Sequence, residues 1–126
     1  MRLLSVSAST GTWVIQTRLP PGLAVPTHLH TGRVYAFTLS GSWGYREYDW
    51  LAGTGSFIEE QAGVSHTLFV PDDAEEAEVI YVVDGANLYF DSDGNYLFRE
   101  DGSTMLGMYL QACEANGLIK PTDIVR

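Results

Sequence analysis

At 126 residues, with 13 glycines and 16 acidic against 7 basic side chains, the chain has the size of one domain with one core and a formal charge of −9. Part of that charge lies in the run DDAEEAE at 72–78, a solvated acidic stretch that repels phosphate backbones and anionic lipid, so nucleic acid and membrane surfaces are not expected partners and a small molecule is. The longest apolar run, VIYVV at 79–83, cannot span a bilayer, MRLLSVSAS lacks a signal-like stretch, and the single cysteine, Cys113, rules out an internal disulfide and suits a cytoplasmic protein.

Alternation and chain breakers mark about eight extended segments. TWVIQTRL (12–19) stops at Pro20-Pro21-Gly22, AVPTHLH (24–30) follows, and VYAFTLS (34–40) is closed by Gly41. SWGYREYDW (42–50) brings four large aromatics, LAGTGSFIEE (51–60) runs into the turn QAG, and VSHTLFV (64–70) ends at Pro71. EVIYVVDG (78–85) precedes ANLYFDSDGNYLFRE (86–100), where Asp93-Gly94 reads as a hairpin turn. DSDG is not read as a calcium loop, because the longer ligand series ending in a bidentate glutamate is missing. The one helix is expected over 103–116, capped by Ser103 or Thr104, with Leu106, Tyr109, Leu110 and Cys113 on one stripe and Gly117 at the left-handed position after its end. Cys113, on that stripe, reads as inert core. Closely spaced strands without crossover helices predict an all-β antiparallel sandwich or barrel closed by the C-terminal helix. Exposed sheet edges call for a covering, so a homo-oligomer is expected.

The three histidines point to chemistry. Residues i and i+2 of a strand share a face, so His28 and His30 project together while Leu29 turns away. His66 lies in an extended segment after two hairpins that can return the chain to the first strand, which would complete a three-imidazole metal site. The competing reading is that HxH is a common strand pattern and His66 an ordinary residue; imidazole by itself suits Fe, Zn, Cu and Ni alike.

Gly22, His28, His30 and Gly41 match the first motif of the cupins, and Gly55, Gly63 and His66 match the second, in the right order. The resemblance implies a double-stranded β-helix, or jelly roll. Where the first motif commonly has a glutamate ligand, this chain has Val34 and Tyr35, which is similar to the three-histidine subset; Gln61 and Val70 also depart from the second motif. LSGSWGYREYDWLAGTGSFIEEQAGVSHTL with VVDGANLYFDSDGNYL resembles the 2,4′-dihydroxyacetophenone dioxygenase family and its acetylacetone-cleaving relatives. Members carry an additional N-terminal segment, so this chain is expected to begin inside the fold.

That resemblance implies Fe(II), with Zn, Ni or Cu as alternatives, held by His28, His30 and His66, and a reaction between O2 and a small α-hydroxyketone or β-diketone that cleaves a C–C bond. Three neutral imidazoles leave a divalent ion its full charge and open positions on one side, which suits acidifying such a ketone. Glu60, six residues before the third histidine, is implied as a catalytic-site residue that hydrogen-bonds a ligand imidazole or a bound water; strand parity does not separate it from Glu59. Arg46 is a candidate ion-pair partner for Glu60, with a solvated arginine as the plainer reading. Tyr35, Phe37, Trp43 and Tyr45 are candidates for the pocket wall, though packing explains most of them. Two other functions are weighed against the oxygenase: a non-catalytic metal- or ligand-binding sensor or storage module, and a metal-dependent cupin of other chemistry.

Overall fold

The structure, a computed structural model, describes residues 1–126. Its elements are β1 (Arg2–Val6), β2 (Thr12–Leu19), β3 (Thr27–His30), β4 (Val34–Ser40), β5 (Trp43–Tyr45), β6 (Leu51–Ala52), β7 (Phe57–Glu60), β8 (Ser65–His66), β9 (Leu68–Phe69), β10 (Ala77–Asp84), β11 (Asn87–Phe90), β12 (Tyr96–Glu100) and α1 (Gly102–Ala115). One layer is the sheet β1-β2-β10-β4-β7; the other joins β12-β11-β3-β8 to β6-β5-β9. Neighbouring strands within these sheets pair antiparallel, and the whole is a mostly β cupin-type jelly roll with one C-terminal helix. Thr67 carries the chain from β8 to β9, where its hydroxyl meets Thr27 at 2.7 Å and Glu47 at 2.6 Å. No helix is long and apolar enough to cross a membrane.

Alternation puts the core between the layers. On β10, Ala77, Val79, Tyr81 and Val83 face inward, and on β4 Val34, Ala36 and Thr38 do the same. Trp13 and Trp43 are fully buried, and each places its one donor: Trp13 Nε1 donates to the Gly85 carbonyl at 2.9 Å and Trp43 Nε1 to the Thr38 hydroxyl at 2.9 Å. Gly41, which closes β4, has φ +77°, and a Cβ there would sit 2.4 Å from the Glu76 carbonyl oxygen, so the turn needs glycine for both its conformation and its space.

Several expectations change in detail. β1 forms although RLLSV does not alternate, because a bulge between Leu3 and Ser5 lets both Leu3 and Val6 face the core. The stretch 42–50 supplies only three strand residues before it turns. The helix is capped by Asp101, not Ser103 or Thr104: the Asp101 carboxylate accepts from Thr104 N while the Thr104 hydroxyl accepts from Asp101 N, a reciprocal box. Met105 joins Cys113 as a buried helix residue. At the other end Gly117 is left-handed and Leu118 N bonds the Cys113 carbonyl, as expected, but the Leu118 side chain is exposed. In the hairpin turn after β11, the Asp91 carboxylate accepts from the backbone N–H groups of Asp93 and Asn95.

Candidate metal centre

Strand register assembles the site. β3 lies between β11 and β8, so His28 is directly opposite His66 on one side and Tyr89 on the other, while His30 is opposite Asn87. The turn ending in Gly63 (φ +84°) makes this return possible: Gly63 N bonds the His30 carbonyl and His30 N bonds the Val64 carbonyl. The three imidazoles are buried, and their ligand atoms lie within 4.8 Å of one another. His30 Nε2 is 2.7 Å from His66 Nε2.

The facing layer supplies the fourth group. Glu60, at the end of β7, is 6 % exposed, and its Oε2 lies 2.8 Å from His30 Nε2 and 3.4 Å from His66 Nε2, without hydrogen-bond alignment to either. Its Oε1 accepts from the Tyr45 hydroxyl. Burial alone would raise the Glu60 carboxyl, but the adjoining His30 and His66 rings and the Tyr45 hydroxyl outweigh it and hold the group down at about 2. Burial, with the Tyr81 and Glu60 charges, pushes Tyr45 well up, so it remains a donor. The Tyr45 ring also stacks on His66 at 3.5 Å between centroids. Burial, then the neighbouring His30 and His66 rings, bring His28 down to about 4, so it is neutral at pH 7.

Two imidazole nitrogens and a carboxylate oxygen converge closely enough to share a proton or a metal ion. His30 Nδ1 meets Asn87 Oδ1 at 2.7 Å; a proton held on that nitrogen leaves Nε2 free to ligate. Donor set, burial and tautomer control therefore fit a divalent metal. Asn87→Ala is expected to weaken metal affinity by about 10–100-fold without removing a ligand, read by competition with a chromogenic chelator.

Two cavities flank the cluster. The larger, about 330 Å³, is lined by His28, His30 and Tyr45 and by apolar residues such as Trp13, Val34, Leu68 and Met105. The smaller, about 250 Å³, reaches His66 and Glu60 past Tyr48 and Trp50. Of the aromatic candidates, Tyr45 lines the large cavity and Trp43 packs in the core. Tyr35 and Phe37 lie on the outer face, where Tyr35 stacks on Phe57, because small inward residues alternate with them on β4. Arg46 is exposed and lies over the Phe69 ring, and Tyr45, one residue earlier, is the partner of Glu60. Asn87 carries no ligand signature in sequence and is visible only through the β3–β11 register.

The ChrR cupin-like domain matches residues 1–88. The chain belongs to that cupin family. Among solved structures, this cupin is similar to an RmlC-like cupin protein from Ralstonia eutropha JMP134 at 31 % identity, covering 98 % of this chain and 79 % of that one with a TM-score of 0.92. A second protein of that organism, of unknown function with a cupin-like fold, is 32 % identical over 91 % of this chain and 72 % of its own, with a TM-score of 0.88. An acetylacetone dioxygenase from Acinetobacter johnsonii shares the fold at 23 % identity, 86 % and 74 % coverage and a TM-score of 0.79. No curated protein matches this cupin.

Proposed function

We propose that the protein is a metal-dependent dioxygenase that cleaves a C–C bond of a small α-hydroxyketone or β-diketone with O2, and that His28, His30 and His66 hold Fe(II). The observation that carries this reading is a cluster of three buried imidazoles opening on one side into a largely apolar cavity of about 330 Å³. The activity of the Acinetobacter johnsonii enzyme, which shares the fold, suggests the substrate class. A divalent ion bound here would acidify a chelating ketone and let it react with O2.

The chain's own residues divide the remaining tasks. Asn87 orients His30, and Tyr45 braces His66 with its ring and Glu60 with its hydroxyl. Glu60 and His66 face the smaller cavity, so Glu60 acts on the imidazoles or a water on that side and leaves the larger cavity for the ketone. Leu68, Val34 and Trp13 give the cavity an apolar wall, and no lysine or arginine lines it, which disfavours an anionic ketone. Protein reconstituted with Fe(II) is expected to consume O2 with a hydroxyketone, one O2 per substrate, giving two carboxylic acids. Stoichiometric metal without oxygen uptake across a panel of hydroxyketones and diketones would rule the reading out. It would favour instead a binding or sensing cupin, for which Glu60, a fourth donor beside three imidazoles, is the supporting observation.

A further inference from the structure

The large cavity has a second polar end. β11 lies between β3 and β12, so Asn87 is opposite His30 on one side and Glu100 on the other. His30, Asn87 and Glu100 thus form one row across the sheet, which sets Glu100 two strand spacings, about 10 Å, from His30. Glu100 is the one carboxylate residue that lines the cavity, and none of the chain's ion pairs includes it. Its Oε1 accepts from the Tyr89 hydroxyl at 2.5 Å, and Oε2 bonds no other group of the protein. Burial, then the Glu100 charge, pushes the Tyr89 hydroxyl up, so it stays protonated as the donor. Met1 and Met108, which also line the cavity, are about half exposed, so this end is close to solvent. Glu100 is half-buried and is the one carboxylate at this end of a largely apolar lining.

We infer that Glu100, held by Tyr89, reads the end of the ligand remote from the histidines, so that the cavity selects a largely apolar molecule ending in a hydrogen-bond donor, hydroxyl or ammonium, and turns away one ending in a carboxylate. This rests on the ketone-cleaving reading above and narrows its substrate class. The row geometry gives the length: the chelating oxygens at the imidazoles and the distal donor at Glu100 are separated by a short chain or one ring.

The test uses Zn(II)-loaded protein, in which binding is read without turnover. Calorimetric titration compares 1-hydroxyalkan-2-ones of equal length that end in methyl, hydroxyl, ammonium or carboxylate. Donor-ended ligands are expected to bind about 10- to 100-fold tighter than the methyl-ended one, as for a hydrogen bond to a charged group, and the carboxylate-ended ligand weakest. Glu100→Gln is expected to collapse this order and to admit the carboxylate; Glu100→Met, of similar length, serves if the first variant does not fold. The same order in wild type and variant would overturn the role of Glu100 while leaving the ketone reading intact. Zn(II)-loaded protein that binds none of the series would overturn both.

Discussion

His66→Ala is expected to yield protein that no longer retains a metal ion after dialysis, whereas wild type loaded with Fe(II) or Zn(II) keeps close to one per chain. His28 and His30 both come from β3, and only His66 reaches the cluster from β8, so its loss reduces the site to two imidazoles on one strand. The fall in affinity should exceed the about 10–100-fold typical of removing a group that merely orients a ligand. Alanine also removes the ring on which Tyr45 stacks, so some destabilisation accompanies the metal loss. His66→Gln, closer in volume, separates the two effects: it should restore stability in urea without restoring metal. Metal content by mass spectrometry decides the matter. A His66→Ala protein that keeps equimolar metal would show that His66 is not a ligand.

Much of this site can be read along the chain because it depends on strand parity. His28 and His30 share a face wherever the segment is extended, and the glycine turn before His66 signals the return that sets it beside His28. What escapes is whatever depends on which strands become neighbours. Asn87 lies 57 residues beyond His30, and its role follows from β11 pairing with β3. Glu100 enters the same row only through β12. The choice between Tyr45 and Arg46 turns on one residue of phase in a strand three residues long. Glu59 and Glu60 follow Phe57 and Ile58, both apolar, so parity was silent there. The structure resolves it by leaving Phe57 63 % exposed and burying Glu60.

The same physics explains the uneven legibility of the fold. β2 and β4 have the bounds expected from alternation, since their apolar faces are continuous and end at Pro20 and Gly41. β1 lacks alternation because its bulge resets the phase between two inward residues, and a period-two pattern cannot register such a reset. Tyr35 and Phe37 show a further limit. Size alone suggests aromatics for a pocket wall, yet the space beneath β4 is filled by Val34, Ala36 and Thr38, and the large rings go outside.

Freed of metal, the protein is expected to lose stability in two stages as the pH falls. Burial and the neighbouring histidines hold His28 at about 4 against 6.5 in the unfolded chain, so between those values the unfolded state binds a proton that the folded state refuses. The stability is complete above pH 6.5 and drains away as the pH drops towards 4, by about 3 kcal/mol at 1.36 kcal/mol per unit. Glu60 acts in the next window. Its carboxyl is held at about 2 against 4.5, so its contribution, again about 3 kcal/mol, is present above pH 4.5 and disappears on the way to pH 2. Against a typical total of about 5–15 kcal/mol, the first stage alone should move the urea midpoint visibly between pH 7 and 4. His28→Gln should flatten that stage and leave the second, because glutamine has no proton to take up. A wild-type midpoint that is unchanged from pH 7 to 4 would show that the fold does not hold His28 neutral. Saturating Zn(II) should steepen the fall, since protons then compete with the ion for the imidazoles and the acid limb includes metal release as well as unfolding.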